Sequence, residues 1–226
     1  MNIKIPKENI LPGVQKAASI IPSRTGAAFL RTIWLQAGQD RLTIMSTDSK
    51  LEFSGTYQAQ CLSEGLVGLH GRNVHDLLRK LPPGEMQLRL DTENNNLLLE
   101  QGKRKYKLPT YDTTWFQHFH EFPQDKAVLW TGAELKSLIE RIVFCIADDN
   151  TENMHYLKLA PVSDQPGRIE ACGLNGHQFA LVRFEHQELF DRMSQEGILI
   201  AKPYLLELRK WLENDHLYFN MDEKRL

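Results

Sequence analysis

The stretch that decides the fold is Leu77-Leu78-Arg79-Lys80-Leu81, because the chain carries a similar stretch, Glu207-Leu208-Arg209-Lys210-Trp211, 130 positions later. Both stretches place a pair of adjacent basic residues, Arg and Lys, directly after a leucine. A repeat at this distance is too long for one unit of a solenoid and is about the length of a whole domain. The sequence therefore predicts two similar domains in tandem.

Two earlier segments repeat at nearly the same distance. Asn9 to Ile21 matches Glu134 to Ile146 at an offset of 125, and Leu42-Thr43-Ile44 matches Ile169-Glu170-Ala171 at an offset of 127. The offset grows smoothly along the chain, as loop insertions in the second copy would make it do. The repeat therefore covers several elements and is more than a chance match of one helix.

The chain of 226 residues has room for one large or two ordinary domains, and its hydrophobic content of 42% is normal for globular proteins. We place the first domain at residues 1–122 and the second at residues 127–226. The boundary lies in the polar, aromatic stretch from Tyr111 to Lys126, where no periodicity is visible. By comparison with the first domain, the second should lack about two strands at its C-terminus.

The cysteines and the N-terminus restrict the cellular setting. The three cysteines are far apart and form no C-x-x-C pair, which argues against a disulfide framework or a structural zinc site. The chain has no N-terminal apolar signal segment and no run of 18 apolar residues. We expect a cytoplasmic protein that does not span a membrane.

Periodicity predicts an α+β fold in which each domain packs two helices on one face of mostly antiparallel sheets. Pro12 and Gly13 should kink or delay the first helix. Thr131 and Glu134 have the spacing of a capping box, and Pro203 suits the first turn of the last helix. The predicted helices are 7–21, 72–81, 132–146 and 202–212. The predicted strands are 2–5, 28–37, 41–47, 51–60, 66–69, 86–91, 97–101, 103–108, 154–160, 168–173, 179–185, 198–201 and 216–221.

The predicted helices carry most of the positive charge. They hold ten Lys or Arg against five Asp or Glu, so they contribute +5, and the rest of the chain contributes −7 to the net charge of −2. A basic helical layer on an acidic body is typical of a protein that binds a polyanion. The same residues are also good helix formers that commonly solvate an exposed face, and charge alone does not separate the two interpretations.

Enzymatic and metal-dependent functions have little support in the sequence. His118 and His120 have no third ligand at useful spacing, so no metal or other cofactor is expected. Cys172 near His177 is the one candidate nucleophile pair, although a cysteine in a strand is ordinarily a buried, inert thiol. Asp148-Asp149 lies just beyond a helix end and has the character of a solvated loop.

The segment Leu174-Asn175-Gly176-His177-Gln178-Phe179 joins two predicted strands. Its Asn-Gly pair is typical of a hairpin turn. Apolar residues at Leu157 and Phe179 could also line a small surface pocket beside that turn, so the segment is a candidate binding site as well as a candidate hairpin.

The chain carries specific matches to a known pattern at Arg24, Ile44 to Asp48, Val67 to Pro82, Gly102 to Leu108, and Asn175-Gly176-His177. In these matches it resembles the bacterial sliding clamp family, the β subunit of the replicative DNA polymerase III holoenzyme, and the resemblance covers essentially all 226 residues. Members of that family carry three such domains and close head to tail as a dimeric ring of six domains. The resemblance covers domain one and most of domain two, without a third domain, so we expect these residues alone not to close a ring.

The resemblance implies a non-catalytic processivity factor for DNA replication that encircles duplex DNA and tethers the polymerase. Its implied partners are sequence-independent duplex DNA, short linear motifs of polymerase and clamp-loader subunits, and a second copy of the full-length chain. By the family pattern, the DNA-facing residues would be Arg24, Arg72, Arg79, Lys80, Arg141, Lys202, Arg209 and Lys210. The peptide groove would consist of Leu157, Leu174, Gly176, His177 and Phe179. We also expect Lys103, Lys105 and Leu108 to lie at the dimer interface.

The chain departs from the family at two of these places. The family motif Thr-Asp-Gly-His-Arg-Leu is replaced by Leu174 to Phe179, which makes the groove more apolar. The family's DNA-contacting loop holds Asp148-Asp149 here, and carboxylates repel phosphate, so no DNA contact is assigned to them. Two alternatives stay open: a peptide-binding adaptor that does not encircle DNA, and a thiol enzyme that uses Cys172 and His177.

Overall fold

The computed structural model describes residues 1–22, 27–122, 127–148 and 154–221. The chain divides into two units, Met1–Glu121 and Phe122–Leu226, which we call unit 1 and unit 2. Both units combine runs of antiparallel strands with a few helices, in agreement with the predicted α+β class. Within the described ranges, no helix is long and apolar enough to cross a membrane.

Unit 1 is built from antiparallel strands and two α-helices within its described residues. The helices are α1 (Lys7–Ile20) and α2 (Gly71–Lys80). The strands are β1 (Asn2–Pro6), β2 (Thr32–Gly38), β3 (Arg41–Thr47), β4 (Glu52–Gln58), β5 (Gln60–Ser63), β6 (Gly65–His70), β7 (Glu85–Asp91), β8 (Asn96–Gln101) and β9 (Arg104–Tyr111). They are hydrogen-bonded in the order β4-β3-β2-β6-β9-β8-β7-β1-β5.

Helix α1 packs against α2 and against β3 and β4. It begins at Lys7 and continues through Pro12 and Gly13, so the expected delay of its first turns was wrong. A Cβ at Gly13 would lie 2.4 Å from the Tyr57 ring, which explains the glycine as a close-packing position. The burial of Ile10 and Val14 holds this helix on the sheet and outweighs the one backbone hydrogen bond that proline removes.

Two predicted strands of unit 1 are shorter than the alternation suggested. Ala28–Arg31 forms a 3-10 turn before β2, and the Thr32 hydroxyl donates to the Ala28 carbonyl at 3.0 Å. The predicted strand 51–60 is interrupted at Ala59. There Asp40 accepts from the Ala59 backbone N–H and, through its side chain, from the Cys61 N–H, both at 3.0 Å.

The described residues of unit 2 form two antiparallel sheets and three α-helices. The helices are α3 (Gly132–Ile142), α4 (Gln187–Arg192) and α5 (Lys202–Trp211). The strands are β10 (Val128–Thr131), β11 (Tyr156–Pro161), β12 (Arg168–Leu174), β13 (Phe179–Glu185), β14 (Ile198–Ala201) and β15 (His216–Phe219). β10 pairs with β15, and the other strands have the order β13-β12-β11-β14.

The start of α3 uses the residues that the capping box predicted. The Thr131 hydroxyl oxygen accepts from the Glu134 backbone N–H at 3.2 Å, and the hydroxyl donates to the Glu134 carboxylate at 2.7 Å. Leu135, Leu138 and Ile139 then enter the core of unit 2. The helix ends earlier than predicted, since Val143–Cys145 is a 3-10 turn.

The strand order shows that unit 2 repeats part of unit 1. The order β4-β3-β2-β6 corresponds to β13-β12-β11-β14, and the pair β1-β7 corresponds to β10-β15. β12 begins 127 positions after β3, and β13 begins 127 positions after β4. Within the described residues, β8 and β9 have no counterpart, and α4 takes the place of β5. The sequence did not predict α4.

The first helix of each unit is fixed in the same way. The Lys7 backbone N–H donates to the Gly84 carbonyl at 2.9 Å, and the Gly132 N–H donates to the Asp215 carbonyl at 2.8 Å. In both units the acceptor carbonyl lies shortly after the corresponding later helix, which is α2 in unit 1 and α5 in unit 2. The repeat therefore includes hydrogen bonds between segments that are distant in sequence.

Candidate functional site

Helix α2 presents basic residues on the side opposite its buried face. Val74 and Leu78 are buried, whereas Arg72, Arg79 and Lys80 are exposed. Arg72 and Arg79 are seven residues apart, or about two turns, so their side chains leave the same side of the helix. Arg79 and Lys80 in the last turn also complement the negative end of the helix dipole.

Lys7, one of the ten basic residues counted on the predicted helices, makes hydrogen bonds within unit 1. The Lys7 ammonium donates to the Leu81 carbonyl and, at 3.5 Å, to the Arg79 carbonyl. Carbonyls at a helix C-terminus lack partners within the helix, and a cation is favourable there. Lys7 therefore caps α2, while the Arg79 and Lys80 side chains extend into solvent.

The basic residues of unit 2 are less uniform than those of α2. Arg141 in the last turn of α3 is exposed, and Lys210 on α5 is exposed as well. The Lys210 ammonium lies 2.5 Å from the Glu207 carboxylate, and its side chain keeps 55% of its surface exposed. Arg209 is half-buried. Such an exposed pair is weak, so Lys210 can still meet a phosphate.

Lys202 lies in a different setting from the one the sequence suggested. Its side chain is 14% exposed, and its ammonium contacts the Asp148 carboxylate at 2.7 Å and the Ile146 carbonyl at 2.5 Å. The hydrogen bond and the charge of Lys202 together lower the pKa of Asp148. Lys202 therefore stabilises the end of the segment after α3 rather than forming part of an open cationic surface.

The register of the repeat explains this placement. α5 begins and ends 131 positions after α2, so Lys202 corresponds to Gly71 and not to Arg72. Gly71 is buried, and a Cβ there would lie 2.2 Å from Ile21 Cδ1. A lysine at the corresponding position starts from the inner side of the helix, and its long stem carries the ammonium to the nearest free carbonyl.

Two residues of the sequence predictions lie outside the described residues. Arg24 was expected to face DNA, and Asp149 was expected to belong to a solvated acidic loop. Asp148, the neighbour of Asp149, is the Lys202 partner just described.

The hairpin between β12 and β13 presents the apolar residues predicted for a peptide groove. Leu174 and Phe179 are a cross-strand pair and are 43% and 62% exposed. The Asn175 side-chain oxygen closes the turn by accepting from the His177 and Gln178 N–H groups at 3.0 and 2.8 Å. Gly176 has a φ of +84°, a conformation that favours glycine. His177 is exposed at the tip.

Leu157 does not join this surface. It is 2% exposed and lies in the core of unit 2, because side chains alternate between the faces of β11. Two apolar residues that the sequence interpretation missed, Leu181 and Leu199, are 42% and 64% exposed. Both lie on the same outer face of the sheet, because directly paired residues share a face: Leu199 pairs with Lys158, Lys158 with Cys172, and Cys172 with Leu181. The alternation of β13 and β14 was the signal that could have found them.

The predicted interface residues Lys103, Lys105 and Leu108 lie on the β8–β9 hairpin. Lys103 and Lys105 are exposed, and the Lys105 ammonium lies 3.3 Å from the Glu100 carboxylate of the paired strand. Leu108 is half-buried. β9 pairs with β6 only at Thr110 and Tyr111, so within the described residues its first six positions, 104–109, have no strand partner on that side. A free strand edge is a ready site for another strand.

The candidate nucleophile Cys172 has the character of an unreactive thiol. Burial, with a smaller contribution from the Glu170 carboxylate, raises the pKa of the Cys172 thiol. A raised pKa reduces the thiolate fraction that nucleophilic attack requires. His120 is hydrogen-bonded to the Glu52 carboxylate at 3.0 Å, and the described residues contain no cluster of three metal-ligating side chains.

Comparison with known protein families assigns the first half of the chain. Residues 1–120 match the family model described as DNA polymerase III beta subunit, N-terminal domain. The chain belongs to this family. The beta sliding clamp of Haemophilus influenzae is 21% identical over 216 residues, and that of Pseudomonas aeruginosa is 22% identical over 213 residues. These matches cover 95% and 94% of this chain but only 57% of each relative.

Solved structures of DNA polymerase III beta subunits share the fold. A Caulobacter crescentus pol III beta structure superposes with a TM-score of 0.85 at 22% identity, covering 97% of this chain and 61% of that one. A sliding clamp from Bartonella birtlesii gives a TM-score of 0.90 at 19% identity, covering 99% and 60%. The likeness extends over both units, and it confirms the expected tandem clamp fold.

Proposed function

We propose that the chain acts as part of a non-catalytic DNA sliding clamp, which encircles duplex DNA and holds the replicative polymerase on its template. The observation that carries this proposal is the family match of residues 1–120, joined to the exposed basic residues on α2, α3 and α5. The relatives named as beta sliding clamps support it, although the chain spans 57% of their length. As part of a replication clamp, the protein is proposed to act in the cytoplasm.

The exposed cations suit a protein that must stay on DNA and still move along it. Lys and Arg contacts to phosphate are independent of sequence and sensitive to salt, because each one releases condensed counterions. In the described residues the exposed members of the expected DNA-facing set are Arg72, Arg79, Lys80, Arg141 and Lys210. Arg209 is half-buried, and Lys202 is proposed here to be structural.

The outer surface of unit 2 is proposed to hold short linear motifs of the polymerase and the clamp loader. Leu174, Gly176, His177 and Phe179 would form this peptide groove, with apolar anchors of the partner against Leu174 and Phe179. Sliding clamps from Pseudomonas aeruginosa and Bartonella birtlesii have been solved bound to griselimycin. A peptide-binding adaptor that does not encircle DNA is not favoured, because the relatives found are clamps.

The open edge of β9 is proposed to meet a second copy of the clamp in a homodimer. Lys103, Lys105 and Leu108 are proposed to lie at this interface, and the two exposed lysines would face an acidic strand edge. Charge reversal at Lys103 and Lys105 in the full-length protein should then leave monomers in sedimentation. Dimers that persist in this variant would remove the β9 edge from the interface.

Primer extension by the replicative polymerase on circular, singly primed DNA tests the main proposal. Adding the full-length protein, in which the ring can close, should lengthen the products made in one binding event, and the variants below are made in that protein. The double variant Arg79→Glu, Lys210→Glu should abolish the gain, whereas Lys50→Glu, an exposed lysine of unit 1 away from the helices, should preserve it. A gain that survives the double variant would favour the adaptor, and no gain with the unmodified protein would contradict the clamp.

A further inference from the structure

Four paired residues form a row across one face of the sheet in unit 1. Directly paired residues share a face, and the pairings join Ser54, Met45, Trp34 and Gly68 across β4, β3, β2 and β6. We call these residues the unit 1 row. Trp34 and Met45 are large side chains, yet they are only 3% and 4% exposed. Because the row lies on one face of its strands, another segment has to cover it.

The segment that follows β9, residues 112–120, covers the unit 1 row. The Phe116 ring packs edge-on against Trp34, with 5.3 Å between the ring centroids. Farther along, the His120 backbone N–H donates to the Glu52 carboxylate at 3.2 Å, and His120 Nδ1 lies 3.0 Å from the same carboxylate. We call residues 112–120 the covering segment. It is held on the sheet by one aromatic contact and one polar contact.

The corresponding row of unit 2 is exposed. The pairings join Leu181, Cys172, Lys158 and Leu199 across β13, β12, β11 and β14, the strands that correspond to β4, β3, β2 and β6. We call these residues the unit 2 row. Leu181 and Leu199 are 42% and 64% exposed, and Lys158 is exposed as well. Within the described residues, the repeat therefore carries over the row but not its cover.

The side chains of the unit 2 row define what can cover it. Lys158 takes the place of Trp34, and the exposed Leu199 takes the place of Gly68, where a Cβ would lie 2.7 Å from the Trp34 ring. None of the ion pairs found among the described residues includes Lys158. Exposed apolar residues next to charged ones mark an interaction surface. An apolar segment that also carries a carboxylate fits this row.

The polar contact of the covering segment cannot be repeated in unit 2. At an offset of 127, the place of Glu52 is taken by Phe179, which offers no acceptor to a histidine. A cover of unit 2 needs a different polar anchor, and the Lys158 ammonium is the exposed charge within the row. The two covers are therefore expected to differ in chemistry while sharing a position.

We infer that a counterpart of the covering segment, which follows unit 2 in the full-length protein, lies on the unit 2 row with a carboxylate against Lys158. This inference rests on the proposed clamp function, since the relatives are longer and the chain spans 57% of their length. In unit 1 the cover comes from the same chain, directly after the last strand. A segment joined to the row through the chain also has a high effective concentration there, which favours it over a separate protein.

Carbodiimide coupling of the full-length protein tests the contact directly. The reagent joins an ammonium to a carboxylate that touches it, and mass spectrometry of the digest identifies both peptides. Lys158 should be joined to a carboxylate of the segment that follows unit 2. Lys50, an exposed lysine of unit 1, should not be joined to that segment. A mixture of isotope-labelled and unlabelled protein separates links within one chain from links between copies.

The Cys172 thiol lies within the unit 2 row and measures its coverage independently. Alkylation by an uncharged reagent, relative to Cys61, should be about tenfold or more slower in the full-length protein than in residues 1–226, because the open form becomes a minor state. Lys158→Glu should remove most of this protection, whereas Lys50→Glu should keep it. Each variant is compared at both lengths, so that the direct effect of the Lys158 charge on the thiol cancels.

Three coupling results would overturn the inference: Lys158 joined only to Glu170 on the neighbouring strand, to a second copy, or to another protein. Equal alkylation of Cys172 at both lengths would overturn it as well. Thermal unfolding checks that each protein is folded, and if residues 1–226 do not fold alone, the coupling result in the full-length protein decides.

Primer extension separates a failure of this inference from a failure of the clamp. Full-length protein that raises processivity while the unit 2 row stays exposed contradicts the cover alone. Full-length protein with a covered row and no gain in processivity contradicts the clamp alone.

Discussion

Helices α2 and α5 occupy the same place in the two units but present their basic residues differently. At an offset of 131, buried Val74 corresponds to buried Leu205, and buried Leu81 to buried Leu212. The two helices differ at the next inward position, where Leu78 is fully buried and Arg209 is half-buried. Lys210, and not Arg209, is thus the counterpart of Arg79.

This difference shows why aligning the identical Arg-Lys residues put the second helix one residue out of register with the first. The Arg-Lys pairs match at an offset of 130, whereas burial and helix bounds match at 131. One residue is about 100° of rotation around a helix, which is enough to move a side chain from the solvent face toward the core. The buried positions define the register, because the core tolerates a change less than the surface does.

Leucine truncation should give the largest effect and would test this register directly. Leu78→Ala removes a fully buried side chain and should lower the free energy of unfolding of unit 1 by about 2–5 kcal/mol. Leu208→Ala removes a half-buried side chain and should cost less than half as much in unit 2. Chemical denaturation, fitted with a separate transition for each unit, measures both. Equal costs would support the offset of 130 instead.

Loss of the hydrogen bond from the Lys202 ammonium should have the second-largest effect on stability. Lys202→Met keeps the apolar stem but removes the donor to the Ile146 carbonyl, so unit 2 should lose about 1.5–3 kcal/mol of unfolding free energy. Lys7→Met is the matched change in unit 1, where the cap is on α2, and a similar loss is expected. A loss below ~0.5 kcal/mol in Lys202→Met would mean that the lysine is not structural.

The strands were the most predictable part of this chain. β3, β13 and β14 have the bounds read from alternation and turn residues, since both signals are local. Helix α4 was missed because its six residues bury only one side chain within the helix, Leu189, which gives no periodicity to detect. The 3-10 turn at Ala28–Arg31 was likewise too short to separate from the strand that follows.

The candidate site was harder to predict, because side-chain environment depends on distant segments. Lys202 reaches the Ile146 carbonyl, 56 positions away, and no local pattern contains that contact. Leu157 was assigned to the groove because it is apolar and the family resemblance implied it, although the pleat of β11 turns it into the core. The exposed cations of α2 were found because a strongly amphipathic helix separates its faces in the sequence itself.

Salt dependence of DNA binding should show a smaller, few-fold effect that distinguishes the same residues. Arg79→Gln and Lys210→Gln should each lower the slope of log affinity against log salt by about one, since each removes one of the proposed phosphate contacts. Lys202→Met should leave the slope unchanged because its ammonium is already paired within the chain. Fluorescence anisotropy with a duplex at several salt concentrations gives these slopes. A reduced slope in Lys202→Met would return that lysine to the DNA-facing set.

The smallest effect should be a pH dependence found in unit 2 and not in the matching cap of unit 1. Lys202 lowers the pKa of Asp148 in the folded state, so their pairing should stabilise unit 2 above the ordinary pKa of an aspartate. That contribution should disappear as the pH falls through the lowered pKa. Lys7 caps α2 through carbonyl oxygens and, within the described residues, forms no ion pair with a carboxylate.

Asp148→Asn should therefore destabilise unit 2 slightly at neutral pH and not at all in strong acid. Asp148 is 95% exposed, so the difference should also shrink as salt is added. Denaturation of both proteins between neutral and acidic pH measures it, and the Lys202→Met background is the control. In that background the pH-dependent effect of Asp148→Asn should largely disappear, because Lys202 is the main cause of the lowered pKa of Asp148 and only the smaller charge effect of His155 is left. A pH-dependent difference that persists there would assign the lowered pKa to another group.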